Sequence, residues 1–185
     1  MSFSNWFMNK LTSQIKLSDK DFAMVKYGCD VLYINFSKTF ILFICAVVLG
    51  ILRETAFLLC IFSCVRATGF GYHSNNTVKC TIIGLIEFIG FTYVAILSEP
   101  FSITISCVVY LICMMVFLKW APVETAKRPI RKQRKRLFKV LTLAIATSLF
   151  VLALWIGHGL YRNLIIMGVL MEAVCVLPPM KKIIL

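Results

Sequence analysis

The sequence predicts an all-α membrane protein with about six transmembrane helices and both termini in the cytoplasm. Of its 185 residues, 60% are hydrophobic and only 15% are charged, far from the balance of a soluble domain of this length. Long apolar runs alternate with polar segments, and the basic residues gather in every second polar segment. This pattern is typical of a chain that crosses a bilayer repeatedly.

Residues 1–35 are predicted to form two amphipathic helices ahead of the first crossing. Apolar side chains recur at helical spacing in two stripes: Phe3, Phe7, Leu11 and Ile15, then Phe22, Val25, Cys29 and Leu32. Ser18 is suited to cap the second helix. Because both helices also carry lysines, we expect them to lie on the inner leaflet, with packing against the bundle as the alternative.

Residues 36–185 are predicted to form the transmembrane domain. A helix needs about 20 mostly apolar residues to span the hydrocarbon core. The predicted crossings are Phe36–Leu52, Thr55–Val65, Cys80–Leu97, Phe101–Leu118, Val140–Ile156 and Leu160–Leu177. The second of these is too short by itself, so it must recruit flanking residues or fail to cross.

The basic residues predict the orientation. With both termini inside, all of the 20 Lys and Arg residues except Arg53 and Arg162 face the cytoplasm. Cytoplasmic loops are enriched in Lys and Arg, so this distribution favours six crossings. The net charge of +12 is then explained by topology, and no nucleic-acid partner is expected.

The polar segment 66–80, between the second and third crossings, holds His73 and Cys80 close together. A cysteine nucleophile needs a base, and an imidazole suits this role at neutral pH. Seven residues of straight helix would separate the two by about 10.5 Å, so the chain must bend between them. Residue types that permit a bend flank the histidine: Gly69, Gly71 and Ser74–Asn76.

Cys80 is predicted to begin the third crossing, where a helix N-terminus and the adjacent Lys79 favour a thiolate. The alternative is a loop histidine and an inert cysteine. A third catalytic residue is not evident. Glu87 lies two turns beyond Cys80, too deep to reach His73, whereas Asn75 or Asn76 would be placed to orient the imidazole.

The same segment resembles the active-site segment of the accessory gene regulator B (AgrB) family of quorum-sensing peptide processors. The family pattern has an Arg seven residues before the His, a Gly two before it and a Cys seven after it, which Arg66, Gly71, His73 and Cys80 match. Two later landmarks also match: Ala121-Pro122 followed by Lys127–Pro129, and Leu177-Pro178. The resemblance covers nearly the whole chain in length and span order.

The resemblance implies a cysteine endopeptidase of the bacterial cell membrane with its active site on the cytoplasmic side. It implies that Cys80 is the nucleophile, that His73 is the general base, and that Arg66 and Gly71 form the site. Anchoring to phosphate headgroups is the alternative role for Arg66. The enzyme would cleave the C-terminal part of a small precursor peptide and promote closure of a thiolactone or lactone ring. The resemblance also implies a homodimer, and it implies no cofactor and no metal.

Precursors in this family carry an amphipathic N-terminal helix and an acidic C-terminal tail. The basic cytoplasmic loop 119–139 is expected to anchor the chain and also to attract that tail, through Lys127, Arg128, Arg131, Lys132 and Arg134. The carboxylates of Glu87 and Glu172 lie within crossings, so we expect them to face the protein interior. They would pair with a base, line a substrate cavity or stabilise a helix or subunit contact.

Two other classes of protein compete with the peptidase. A peptide transporter or exporter would show broken helices in two matching halves, which the sequence does not contain. A lipid-modifying enzyme commonly needs clustered acids for a metal, and no cytoplasmic loop of the predicted bundle holds two neighbouring carboxylates.

Overall fold

A computed structural model describes residues 19–71, 76–124, 130–156 and 159–180 of the chain, and no strand occurs in these ranges. The predicted all-α class is confirmed. The helices are α1 (Asp19–Val48), α2 (Leu52–Gly69), α3 (Thr77–Leu97), α4 (Ile103–Trp120), α5 (Lys132–Trp155) and α6 (Gly159–Val176). The chain divides into two compact units, residues 1–45 and residues 46–185.

Helix α1 runs without interruption through position 35, where the sequence predicted an amphipathic helix to give way to the first crossing. The second amphipathic stripe and the first crossing therefore belong to one helix. No proline lies between Asp19 and Val48, so nothing in this stretch enforces a break. The first stripe, from Phe3 to Ile15, lies outside the described residues.

Five helical segments in the described part of the chain are long and apolar enough to cross a membrane. They are Gly28–Val48, Thr77–Leu97, Ile103–Trp120, Gln133–Trp155 and Gly159–Val176. Helix α2, the predicted second crossing, is not among them because it carries Arg53, Glu54 and Arg66. Of the two alternatives that the sequence left for this segment, the helix does recruit residues at both ends and reaches 18 residues.

Helix α6 lies at the centre of the second unit. In its membrane-length window 67% of the residues are buried, against 17–22% in α3, α4 and α5. Those three helices expose large apolar side chains on their outer faces, including Ile86, Leu111 and Val151. Such a surface is stable against lipid and not against water.

Helix α2 packs closely on α6 and runs antiparallel to α3. A Cβ atom added at Gly168 of α6 would lie 2.7 Å from Ile61 Cγ2, so the absence of a side chain allows the two helices to approach. Along α3, Thr55 Oγ1 donates to Thr92 Oγ1 at 3.4 Å, and the rings of Phe62 and Phe88 meet edge to face at 5.2 Å.

Polar contacts fasten both ends of this unit. At one end the buried Asn163 side chain accepts from Phe101 N at 2.9 Å and donates to Glu99 O at 3.2 Å. At the other end Val123 N donates to Gly69 O at 3.1 Å, and the ring centroids of Phe70 and Phe138 lie 4.9 Å apart. The second of these ends also contains the first turn of α3 and the C-terminal turns of α6. We call it the Gly69 end.

Candidate functional site

The predicted nucleophile, Cys80, lies in the first turn of α3 and is half-buried. Asn76 is the N-cap residue, and its side-chain oxygen accepts from Val78 N at 2.9 Å and Lys79 N at 3.3 Å. The Cys80 amide donates to Asn76 O at 3.0 Å. The capped turn fixes the backbone from which the thiol projects, in the positive potential of a helix N-terminus.

This cap gives Asn76 a structural role, because its side-chain oxygen already serves two amides of α3. The predicted base, His73, and Asn75, the other residue predicted to orient its imidazole, lie outside the described residues, and so do Lys127 and Arg128 of the basic loop. The predicted pairing of His73 with Cys80 therefore stays a prediction.

Arg66 lies in the last turn of α2 and points at α6. Its Nη1 atom donates to Glu172 Oε2 at 3.0 Å, forming an ion pair in which the glutamate side chain is completely buried and the arginine side chain is 19% exposed. The guanidinium also lies over the Phe62 ring, 5.4 Å from its centroid. These contacts account for the burial of the arginine without a phosphate headgroup.

Gly71 meets the same carboxylate from the other side. Its amide donates to Glu172 Oε1 at 3.2 Å. A Cβ atom at position 71 would lie 2.4 Å from Arg66 Nη1 and 2.9 Å from Cys175 Cβ, so a side chain cannot be accommodated without movement. The structure thus brings together Arg66 and Gly71, which the sequence had singled out, around a residue of α6.

The predicted bend between His73 and Cys80 falls largely on residues 72–75, which lie outside the described residues, but the end of helix α2 just before it is described. Phe70, between the two glycines, adopts the left-handed conformation at φ 57°, and its amide donates to Arg66 O at 3.2 Å to close helix α2. The glycines provide close approach instead, since a Cβ at Gly69 would lie 2.8 Å from Glu172 Oε1. A left-handed non-glycine residue is uncommon and carries no sequence signal.

Glu87 belongs to the surroundings of the Arg66 guanidinium. Its carboxyl interacts electrostatically with both Arg66 and Glu172. It lies seven residues beyond Cys80, about 10.5 Å along the axis of α3. This position is deeper in the bundle than the thiol, as the sequence suggested.

Three of the basic residues that were predicted to bind the acidic tail are described by the structure, and they lie at the start of α5: Arg131, Lys132 and Arg134. Arg131 is the N-cap position, and Arg131 and Arg134 are exposed. Lys132 is the first residue of the helix. One turn after Arg134, Phe138 packs on Phe70, so the basic start of α5 lies beside the C-terminus of α2 at the Gly69 end.

Sequence reasoning undervalued two residues of α6. Glu172 was predicted to face the interior, and of the roles considered it takes the pairing with a base, Arg66. Cys175 received no predicted role, yet its thiol interacts electrostatically with the Arg66 guanidinium. The available signal was their spacing of three residues, which places both on one face of a helix.

Comparison with known proteins identifies relatives over nearly the whole chain. Residues 4–176 match the family model described as Accessory gene regulator B. An AgrB-like protein of Clostridium acetobutylicum is 27% identical over 173 residues, covering 91% of this chain and 81% of the relative. The accessory gene regulator protein B of Staphylococcus aureus strain MW2 is 26% identical over 181 residues, covering 94% and 96%. That of Staphylococcus intermedius is 24% identical, covering 91% and 89%. No solved structure matches the chain significantly.

Proposed function

Because the chain belongs to the accessory gene regulator B family, we propose that it is a membrane-embedded cysteine endopeptidase that processes a quorum-sensing precursor peptide. One observation carries the proposal. Cys80 lies in the capped first turn of α3, at the same end of the bundle as the cluster of Arg66, Gly71 and Glu172. The segment that connects this cluster to the cap contains His73.

The first step is acyl transfer to the enzyme. His73 takes the thiol proton of Cys80, and the sulfur attacks the scissile carbonyl of the precursor. The carbon–nitrogen bond then breaks, and the C-terminal fragment leaves as an amine with the proton from His73. The remaining N-terminal part is held as a thioester on Cys80.

The second step closes the ring. A cysteine or serine side chain inside the precursor gives its proton to His73 and attacks the thioester. Cys80 leaves as a thiol after recovering that proton, and a thiolactone or lactone is formed. Thiol exchange conserves most of the energy of the thioester, provided that water is kept from the acyl group. Cys80 is half-buried at the end of a lipid-facing bundle, which supports such protection.

The substrate approaches along the membrane surface in this proposal. An amphipathic precursor helix lies on the inner leaflet and presents its C-terminal side to the Gly69 end. The exposed Arg131 and Arg134, at the start of α5, attract the acidic tail. Both features support a reaction on the cytoplasmic side.

Replacing the nucleophile tests the proposal. Cys80→Ala should abolish cleavage of a precursor peptide that the unaltered protein processes, and no acyl-enzyme should form. In the unaltered protein the trapped acyl group should map to Cys80 by mass spectrometry. Cys64→Ala is the matched control because Cys64 is an exposed thiol on α2, and it should cleave normally.

A peptide transporter remains the competing function, and the same variants separate the two. A transporter would tolerate Cys80→Ala, because no step of transport uses the thiol. Normal processing by this variant would therefore refute the peptidase.

A further inference from the structure

The carboxylate of Glu172 joins two points of the chain just ahead of His73. One oxygen accepts from the Arg66 guanidinium at 3.0 Å, and the other accepts from the Gly71 amide at 3.2 Å. Glu172 itself is fully buried in α6, the most enclosed helix of the bundle. The carboxylate therefore links the C-terminal end of α2 to α6 through two hydrogen bonds.

Burial of a carboxylate in an apolar bundle is unfavourable unless its charge and lone pairs are satisfied. Helix packing alone does not require an acid at this place, since an apolar residue would fill the space. The absence of side chains at Gly69 and Gly71 lets the backbone close onto the carboxylate. The arrangement is thus specific for holding a backbone segment, which is more than a contact between two helices needs.

The held segment is one end of a short connection. Gly71 is fixed by Glu172, and five residues later Asn76 is fixed as the cap of α3. His73 is two residues beyond the first fixed point, and Cys80 is four residues beyond the second. Both residues that flank the connection carrying His73 are therefore held by hydrogen bonds.

We propose that Glu172 is a positioning residue, which fixes Gly71 and thereby sets the place from which the His73 imidazole reaches the Cys80 sulfur. This inference rests on the proposed function, because it assumes that His73 and Cys80 act as a pair. Glu172 does not touch the substrate or the reacting atoms. It acts through the backbone of the segment that it holds.

Alkylation of Cys80 by iodoacetamide tests this role without a substrate. The full chain in lipid nanodiscs is treated at neutral pH, and the peptide that contains Cys80 is followed by mass spectrometry. His73→Ala should slow the alkylation of Cys80 by about ten-fold, because the base is lost. Glu172→Gln should slow it to the same degree, although His73 and Cys80 are both present.

Asn163→Ala is the matched control. Asn163 is also a fully buried polar residue of α6 that holds an interhelical segment, but at the opposite end of the bundle. This variant should lower the unfolding temperature without changing the rate at which Cys80 is alkylated. Equal slowing by Asn163→Ala would show that Glu172 acts only through general stability and would overturn the proposal.

The remaining outcomes separate the inference from the function beneath it. If His73→Ala slows alkylation and Glu172→Gln does not, the positioning role is wrong and the catalytic pair stands. If His73→Ala has no effect, the catalytic pair and the positioning role both fall. If Glu172→Gln does not fold, hydrogen exchange is measured in the unaltered protein. The Gly71 amide should then be protected from exchange. Exchange at the rate of an exposed amide would overturn the proposal.

Discussion

At residue 71 the volume that a side chain would occupy is already filled by Arg66 and Cys175. Gly71→Ala should therefore push the segment away from α6, lowering the free energy of unfolding by about 1–3 kcal/mol. Cleavage of the precursor should fall more than stability, because the segment leads to His73. Thermal unfolding in detergent and cleavage at a temperature where the variant is folded measure the two effects.

Gly90→Ala is the control at the same scale. Gly90 lies in α3, and apart from the backbone of its own helix and its chain neighbours nothing lies within 4 Å of an added Cβ. Alanine is the better helix former, so this variant should keep its activity and gain up to about 1 kcal/mol of stability. A Gly71→Ala protein that is as active and as stable as Gly90→Ala would contradict the close packing at position 71.

The residues around Gly71 in the sequence do not predict its contact with Glu172. The sequence indicated that the residue matters, but assigned it to a bend. Its partner Glu172 is 101 residues away, and no local pattern connects the two. A carboxylate within a crossing had a basic partner as one of three possible roles. Several basic residues were available, and only the packing of α2 on α6 selects Arg66.

Among the helices, α5 shows how a boundary shifts. The sequence predicted a crossing over Val140–Ile156, whereas the helix is Lys132–Trp155. Hydropathy locates the part in lipid, but Lys, Arg, Gln and Leu are good helix formers, so the helix continues into the polar segment. In α3 the capping side chain of Asn76 sets the start at Thr77, three residues before the predicted Cys80.

The basic start of α5 provides the prediction at this scale. Arg131→Glu together with Arg134→Glu should raise the KM for a precursor with an acidic tail and leave kcat nearly unchanged, because the arginines attract the tail and take no part in chemistry. Added salt should raise the KM of the unaltered protein in the same way. A precursor without its acidic residues is the control, since its KM should not respond to the charge reversal. An unchanged KM for the acidic precursor would remove these arginines from binding.

For the molecule as a whole, the apolar exterior and the central α6 explain why so much of the fold was predictable. Lipid-facing helices must be apolar over a fixed length, so α3 to α6 could be read from hydropathy. Helix α2 was the least certain because it is short in apolar residues and one of its charges lies within the bundle. Arg66 pairs with Glu172, a compensation that hydropathy cannot detect.

Whether α2 crosses the membrane decides the topology, and the contacts of α2 predict that it does. Thr55, in the first turn of α2, bonds to Thr92 near the end of α3, whereas Gly69, its last residue, bonds to Val123, beyond the end of α4. Helix α2 thus extends from one end of the second unit to the other. Arg53 should then share a membrane side with Glu99, and Glu124 should lie on the opposite side.

Single cysteines introduced by Arg53→Cys, Glu99→Cys and Glu124→Cys test this in intact cells, in chains whose native cysteines are replaced. All three positions are exposed, so each should react if the reagent reaches it. A membrane-impermeant maleimide should label the first two from outside and the third only after permeabilisation, because positively charged loops stay in the cytoplasm. Labelling of position 124 from outside would invert the orientation. Protection of position 53 alongside labelling of position 99 would mean that α2 does not cross, and the N-terminal unit would then need a different orientation from the one that the charges predict.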